Sequence, residues 1–147
     1  MNNNESIGHL SAQIYRHSQI YMLNKLKKYN LGIGQLHFLK KLYLKDGINQ
    51  EYLAKSLNYS KATSTRAIQK LEKEGFITRR RDVNDKRACN IFLTDKGKSL
   101  EPEINKIISE WGTILLTGFD DDEQKKFIGF LKKTIDNASS YKGKKEA

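Results

Sequence analysis

The feature that most constrains this sequence is a pair of short amphipathic segments joined by a tight polar turn. Asn49 can cap a first helix of about 50–57, because its side-chain oxygen can accept the amide protons that begin a helix. Ser60 can cap a second helix of about 61–74, and Gly75 follows as a C-terminal stop. Two short helices connected in this way are typical of a helix-turn-helix unit.

A β-hairpin is predicted directly after this unit. Residues 76–81 and 88–93 can each form a strand, and the charged segment 82–87 between them can form the turn. The turn ends in two basic residues, so the hairpin has a basic tip. A helix-turn-helix unit followed by such a hairpin predicts a winged helix-turn-helix lobe spanning residues 31–94, with the wing at about 76–93.

The rest of the chain is predicted to be helical, so the fold class is mainly α with a small β-hairpin. Four helices follow from apolar residues near a 3.6-residue period, at about 7–29, 34–44, 95–117 and 121–139. The apolar stripes in residues 1–30 and 95–140 exceed what one small chain should expose, which predicts that both termini form a helical dimerisation region. The alternative is that the stripes are buried within one chain. Residues 141–147 are expected to be a mobile tail.

The positive charge is concentrated in the middle of the chain. Residues 61–87 carry 9 Lys or Arg and 4 Asp or Glu, whereas residues 88–147 carry 10 of each kind. A concentrated basic segment indicates a polyanionic partner, and double-stranded DNA suits a helix-turn-helix unit. General solubilising charge is the alternative interpretation.

The predicted recognition helix, about 61–74, has a face suited to the major groove of DNA. Thr65, Ile68 and Leu71 are expected to point inward. Arg66 can then pair with the O6 and N7 atoms of guanine, while small neighbours let the helix approach the bases. Phosphate contacts are expected from Ser60, Lys61, Ser64 and Lys70, and the outward face comprises Lys61, Ala62, Thr63, Arg66, Ala67 and Lys70. An ordinary solvated helix face is the alternative.

The wing is predicted to add a second contact with DNA. Lys86 and Arg87 can enter a minor groove, where a narrow A·T tract concentrates negative potential. Asp85 can hold the Arg87 guanidinium through a charge-assisted hydrogen bond. The run Arg79-Arg80-Arg81 alternates across a strand, so at least one member, with Arg79 and Arg81 as the candidates, should face the DNA backbone. A hairpin that is merely kept soluble by charge is the alternative.

These segments together resemble the MarR family of winged helix-turn-helix regulators. The resemblance rests on Leu53-Ala54-Lys55-Ser56-Leu57, on the segment from Thr65 to Ile77, and on Asp85-Lys86-Arg87 followed by Leu93-Thr94-Asp95-Lys96-Gly97. It covers essentially the whole chain, although the outer helices match only in pattern. It implies an obligate, triangular homodimer in which two lobes read a near-palindromic site. Arg66, Ala62 and Thr63 would then read the major groove, while Arg87, supported by Asp85, would read the minor groove.

The resemblance also implies an effector. Members of the family often respond to small anionic aromatic or phenolic ligands, which bind in a cleft near the DNA-binding lobe. Arg16 resembles a first-helix arginine that meets such ligands, and His9 and His37 are further candidates. An ion pair is the alternative role for Arg16, and a surface or satisfied position is the alternative for both histidines.

Enzyme and metal chemistry find little support in the sequence. The three histidines and Cys89 lack the local spacing of metal ligands, and no arrangement of nucleophile and base is visible. We therefore expect no enzymatic activity, cofactor or metal. No apolar run approaches the roughly 18 residues of a membrane span, and no signal peptide is recognised. A cytoplasmic transcriptional repressor is the prediction, with a non-specific architectural DNA-binding protein or a protein-interaction module as alternatives.

Overall fold

The computed structural model describes residues 5–141 and residue 143. The chain divides into two compact units, Met1–Trp111 and Gly112–Ala147. In chain order the helices and strands are α1 (Ile7–Leu26), α2 (Ile33–Leu44), β1 (Ile48–Asn49), α3 (Gln50–Ser56), α4 (Lys61–Lys73), β2 (Ile77–Arg81), β3 (Cys89–Leu93), α5 (Asp95–Ser99), α6 (Glu101–Leu115) and α7 (Asp121–Ser140). A short 3-10 helix, Lys27–Tyr29, extends α1. The predicted mainly α fold with a small hairpin is confirmed.

The first unit is built around one hydrophobic core. Phe38, Leu39 and Leu42 of α2 are fully buried, and they meet Ile68 and Leu71 of α4 in the same cluster. Burial of each such side chain contributes about 1.5–3 kcal/mol to folding. The core therefore fixes α4 from its inner side and leaves its other side exposed. Further buried members of the cluster are Leu26, Leu31, Leu36, Leu53, Ala67, Phe76, Ile77, Ile91, Leu100 and Ile104.

The predicted hairpin is present, and a third strand joins it. β2 and β3 pair antiparallel, from Ile77 opposite Leu93 to Arg81 opposite Cys89. The two-residue strand β1 pairs with the other edge of β3, so the order in the sheet is β1-β3-β2. Sequence patterns did not predict β1, because two residues are too few to show the alternation that marks a strand.

The single helix expected over 95–117 is divided into α5 and α6. Thr94 caps α5 as predicted, since its side chain accepts the Gly97 amide proton at 3.1 Å. Pro102 is the second residue of α6 and lacks the amide proton that would continue α5. A proline is tolerated in the first turn of a helix, where amide protons have no partner within the helix. The chain therefore ends one helix at Ser99 and begins the next at Glu101.

The second unit contains α7, which begins with a capping box. The Asp120 carboxylate accepts the Glu123 amide proton at 2.8 Å, and the Glu123 carboxylate accepts the Asp120 amide proton at 2.9 Å. The acidic run 120–123 thus supplies the N-cap and the first turn of α7, where negative charge is favoured. No residue of α7 is buried, and its apolar Phe130 is 66% exposed. Of the mobile tail expected at 141–147, all but residues 141 and 143 lies outside the described residues.

Candidate nucleic-acid interface

The helix-turn-helix segment is held by side-chain caps at both helix starts. Asn49 accepts the amide protons of Glu51 and Tyr52 at 2.9 and 3.1 Å, which starts α3. The Ser60 hydroxyl accepts the Thr63 amide proton at 3.2 Å and so starts α4. Both caps were predicted from the sequence, because an N-cap is a local interaction. They determine where α4 begins.

One face of α4 is exposed, and the structure places two of its residues differently from the prediction. Lys61, Ala62, Thr63 and Arg66 are exposed, as expected, and Lys70 is half-buried. Ala67, which was expected outward, and Ser64, which was expected to contact a phosphate, are only 5% and 2% exposed. The inner face therefore repeats as residues 64, 67, 68 and 71, which is the i, i+3, i+4, i+7 arrangement of a helix packed on a core. Thr65, expected inward, is half-buried.

Ser64 consequently makes a different contact from the predicted one. Its hydroxyl donates to the Lys61 carbonyl oxygen at 3.0 Å, within the helix itself. A small side chain at this position lets α4 lie close to its neighbours in the lobe, and the hydroxyl is satisfied without solvent. The expectation that Ser64 contacts a DNA phosphate is corrected by this burial.

A groove of about 460 Å³ lies among α3, α4 and β3. It brings Lys61 and Thr65 of the recognition helix together with Arg87 of the wing, which lie far apart in the sequence. Lys55 adds a third cationic side chain from α3. Sequence reasoning did not select Lys55 or Gln50 as site residues, because their position beside the wing depends on how β3 packs. The full lining comprises Asn49, Gln50, Glu51, Ala54, Lys55, Tyr59, Lys61, Ser64, Thr65, Arg87, Ala88 and Cys89.

Asp82 organises the tip of the wing. One carboxylate oxygen accepts the amide protons of Asn84 and Asp85 at 2.8 and 3.2 Å, and the other accepts from the Asn90 side-chain amide at 3.0 Å. The Asn90 bond, followed by the two backbone bonds, holds the pKa of Asp82 below its usual value. Asp82 therefore closes the turn and ties it to β3, a role that sequence reasoning did not assign.

Asp85 bonds to the backbone of Arg87 through its side chain. Its Oδ1 accepts the Arg87 amide proton at 3.0 Å, and its carbonyl oxygen accepts the Ala88 amide proton at 3.0 Å. The expected bond between the Asp85 carboxylate and the Arg87 guanidinium is not among the ion pairs within residues 5–141. The carboxylate closes a local turn instead, which is the usual behaviour of aspartate at such positions. Lys86 and Arg87 are both exposed.

The three arginines of β2 have different surroundings. Arg79 donates two hydrogen bonds to the Glu72 carboxylate, from Nε at 3.2 Å and from Nη2 at 3.0 Å. The bond to Glu72 raises the pKa of Arg79. Arg80 lies 4.7 Å from the centre of the Phe92 ring, while Arg81 is exposed near the tip. Of the two candidates for facing the DNA backbone, Arg79 is thus bound to Glu72 of α4, and Arg81 is the better placed.

A second cavity, of about 380 Å³, lies beside α2. His37 lines it, and His37 Nδ1 is 2.6 Å from the Tyr59 hydroxyl. Burial, reinforced by Lys40, lowers the pKa of His37. Burial, reinforced by Glu101, raises the pKa of Tyr43 to about 12, and the Tyr43 hydroxyl donates to the Gly97 carbonyl at 2.8 Å. The lining residues are His37, Lys40, Lys41, Tyr43, Leu44, Leu57, Glu101 and Asn105.

The other two ligand candidates lie elsewhere. His9 Nε2 is 2.7 Å from the Gln13 side-chain amide within α1, and Arg16 is exposed on the same helix. Neither belongs to the lining of the cavity beside α2. Of the three predicted ligand residues, the structure brings only His37 to that cavity.

Metal-binding clusters and membrane-spanning helices are absent from the described part of the chain. Over residues 5–141 and 143, no group of three or more His, Cys, Asp or Glu side chains has an arrangement that could hold a metal ion. Over the same residues, no helix combines the length and the apolar character needed to span a membrane. Cys89 is half-buried in β3 and has a free thiol.

Comparisons with known proteins agree with this geometry. A family model described as the MarR family matches residues 31–89. The uncharacterised HTH-type transcriptional regulator YybA of Bacillus subtilis (strain 168) is 32% identical over 113 residues, covering 77% of this chain and 75% of its own length. The HTH-type transcriptional regulator BilQ of Clostridium symbiosum is 29% identical over 114 residues, covering 78% and 79%.

A solved structure resembles the chain over most of its length. The crystal structure of a MarR transcriptional regulator from Methanosarcina mazei Go1 has 46% sequence identity and a TM-score of 0.83. It covers 90% of this chain and 95% of its own. The fold, the matched segment and these relatives together show that the chain belongs to the MarR family of helix-turn-helix transcriptional regulators.

Proposed function

We propose that this protein is a homodimeric repressor that binds a near-palindromic DNA site in the cytoplasm. The observation that carries the proposal is the single groove lined by Lys61 and Thr65 of α4 and by Arg87 of the wing. Because one groove joins the helix and the wing, both elements can engage the same stretch of duplex. A basic central segment supplies the attraction to phosphates.

Within this proposal the exposed face of α4 reads bases in the major groove. Arg66 is the reader, since its guanidinium can donate to O6 and N7 of guanine. Ala62 and Thr63 are short enough to let the helix approach the base edges. Ser60, Lys61 and Lys70 contact phosphates and set the register of the helix on the duplex.

The wing contributes the minor-groove contact. Lys86 and Arg87 are exposed at a tip that Asp82 and Asp85 hold through backbone hydrogen bonds. Because these bonds already order the backbone of the tip, little further backbone freedom is lost when its cations bind DNA. Arg81, exposed on β2, is placed to meet the phosphate backbone beside the tip.

Dimerisation is supported by apolar residues exposed at both ends of the chain. Ile7, Leu10 and Ile14 are exposed on α1, and Phe130 and Ile135 are exposed on α7. A monomer that left these side chains in water would forgo about 25 cal/mol of stabilisation per Å² of apolar surface. Two copies that bury them would carry two recognition helices, about 34–36 Å apart if both enter successive major grooves.

Selection of bound sequences from a random duplex pool at physiological salt tests the proposal. We expect enrichment of an inverted repeat with half-sites one helical turn apart. Recovery of bound duplexes that share no sequence would favour a non-specific architectural protein. Failure to recover any DNA would favour a protein-interaction module. Placing the enriched repeat upstream of a reporter gene distinguishes repression from activation.

Release of DNA by a small anionic aromatic ligand is the second part of the proposal. The cavity beside α2 combines apolar walls from Leu44 and Leu57 with the cationic Lys40 and Lys41. Such a lining suits a flat ring that carries a carboxylate. Salicylate serves as the probe, and calorimetric titration should detect binding that Lys41→Ala weakens.

The exposed Lys45, which does not line the cavity, provides the control variant Lys45→Ala. Equal salicylate affinity in the Lys41→Ala variant and the unaltered protein would contradict binding at this cavity. A ligand that binds equally well to the free and DNA-bound forms would not release DNA, because only differential affinity shifts an equilibrium.

A further inference from the structure

The hydrogen bond between His37 and Tyr59 connects two surfaces of the lobe. His37 lines the cavity beside α2, whereas Tyr59 lines the groove between α4 and the wing. Their side chains meet at 2.6 Å, from Nδ1 to the hydroxyl oxygen, across 22 residues of sequence. Tyr59 also stacks on the buried Phe38, with the ring centres 5.6 Å apart. Its ring is therefore held by the core while its hydroxyl is held by α2.

Tyr59 occupies the turn that leads directly into α4. Asn58, immediately before it, has a left-handed backbone with φ of 56°, and Ser60, immediately after it, is the N-cap of α4. The Tyr59 amide donates to the Ala54 carbonyl oxygen at 3.1 Å. Tyr59 is therefore adjacent to the residue that starts α4.

The protonation states of the pair favour a stable bond at neutral pH. Burial lowers the pKa of His37 and raises the pKa of Tyr59. The imidazole is then neutral and the phenol is protonated, so the two groups can share a hydrogen bond. In the tautomer that carries the His37 proton on Nε2, the Tyr59 hydroxyl donates to Nδ1. The bond needs only a neutral acceptor at the Nδ1 position.

We propose that Tyr59 is a positioning residue for DNA reading, whose bond to His37 fixes the orientation in which the first turn of α4 meets the bases. The inference rests on the proposed function of α4 as the reader of DNA. It assigns to His37 and Tyr59 an effect on sequence preference, although neither side chain belongs to the exposed face of α4. Loss of the bond should loosen the first turn without unfolding the lobe.

Matched variants separate the hydrogen bond from the packing of the rings. Tyr59→Phe removes the hydroxyl and retains the aromatic ring. His37→Asn places an amide group near the position of Nδ1, whereas His37→Gln places it near the position of Nε2. Tyr52→Phe is the control, because Tyr52 is 67% exposed on the neighbouring helix α3.

The measured quantity is the ratio of dissociation constants for random duplex and for the enriched repeat at fixed salt. We expect this ratio to fall roughly three- to tenfold for each half-site of the repeat in Tyr59→Phe and His37→Gln, as loss of one hydrogen bond per half-site would produce. We expect His37→Asn and Tyr52→Phe to retain the ratio of the unaltered protein. Amide exchange in residues 61–64 should accelerate in Tyr59→Phe, with exchange in residues 36–42 unchanged.

The outcomes distinguish this inference from the proposed function. An unchanged ratio in Tyr59→Phe, or equal losses in His37→Asn and His37→Gln, would overturn the positioning role. A uniform weakening for all sequences with a lowered melting temperature would also overturn it, since that is a purely structural effect. If the unaltered protein prefers no sequence, the proposed function fails, and amide exchange then decides alone: faster exchange in residues 61–64 supports the positioning bond and unchanged exchange overturns it.

Discussion

The Arg79 guanidinium is bound to both carboxylate oxygens of Glu72, at 3.0 and 3.2 Å, and this pair joins β2 of the wing to the last turns of α4. A two-point bond of this kind fixes direction as well as distance. The two side chains are 35% and 39% exposed, so water screens the pair and its contribution to stability is at most about 1 kcal/mol. Its larger effect concerns charge, because Glu72 neutralises one of three adjacent arginines.

Glu72→Gln should strengthen DNA binding for all sequences. The change removes a negative charge and releases Arg79 for a phosphate contact, so the slope of log K against log salt should become steeper by up to about 1. Filter binding or fluorescence anisotropy across a salt series provides the measurement. Glu110→Gln, on the exposed side of α6, is the charge-matched control. An unchanged salt slope in Glu72→Gln would show that Arg79 gains no contact with a DNA phosphate.

Arg66→Ala should relax sequence preference. Loss of a bidentate bond to guanine should cost roughly 1–3 kcal/mol per half-site and equalise the affinities for substitutions at one base pair. Lys70→Ala is the matched comparison, because removing a cation that binds phosphate should weaken binding to all sequences similarly and lower the salt slope by about 1. The readout is affinity for a set of operator variants. If Arg66→Ala leaves the ranking of the variants unchanged, Arg66 does not read bases.

The wing tip should lose its order in acid. The pKa of Asp82 is lowered in the folded protein by its bonds to Asn90, Asn84 and Asp85. A carboxylate with a lowered pKa contributes its full stabilisation above its ordinary value of 3.8 and loses it as the pH falls through the lower, folded value. The amide resonances of Asn84 and Asp85 should therefore shift below pH 3.8.

Asp82→Asn is the control for that titration, because asparagine cannot ionise. Its wing resonances should lack the transition that Asp82 causes in the unaltered protein over the same pH range. A transition of equal size and midpoint in the variant would assign the acid effect to another group. The same variant should weaken binding to DNA, since the cations at the wing tip would be held less firmly.

Gly97→Ala should destabilise the lobe. A Cβ atom at this buried position would overlap the Phe76 carbonyl oxygen, which is backbone and cannot rotate away. The expected loss is about 1–3 kcal/mol, the usual cost of overpacking a core. Urea denaturation followed by circular dichroism measures it. Gly34→Ala in α2, where a Cβ meets nothing within 4 Å, should be neutral or slightly stabilising, and an equal loss in both variants would contradict the steric argument.

Phe130→Asp should convert the proposed dimer to a monomer. A carboxylate in an apolar interface loses its hydration without gaining a partner, which strongly disfavours association. Sedimentation equilibrium measures the mass, and circular dichroism tests whether the helices persist. Lys132→Asp, also exposed on α7, changes charge without touching the apolar positions. A dimer of undiminished stability in Phe130→Asp would place the interface elsewhere.

The starts of several helices could be predicted from the sequence. Asn49, Ser60 and Thr94 cap helices because each side chain bonds to an amide two or three residues away, and such bonds need no tertiary structure. The hairpin and the helix-turn-helix unit followed from the same local signals. The exposed positions Lys61 and Arg66 followed from helical periodicity.

Other features depended on packing between distant residues. Ser64 and Ala67 lie inward because α4 packs against other elements of the lobe over a wider arc than its aliphatic residues indicate. The hydrophobicity of a small side chain near the edge of that arc does not indicate whether it will face the core or the solvent. Asp85 likewise closes a backbone turn rather than binding the Arg87 guanidinium, since the nearest amide proton competes for its oxygen.

The sequence by itself thus determined most of the helices, the hairpin, their order and the sign of their charge, because these follow from interactions within about one helical turn or one hairpin. Only the tertiary structure decided that Glu72 holds Arg79, that Arg87 lies beside Lys61 in one groove, and that His37 holds Tyr59. Each of these joins different elements, and such contacts form only when a shared hydrophobic core has set the distance between them.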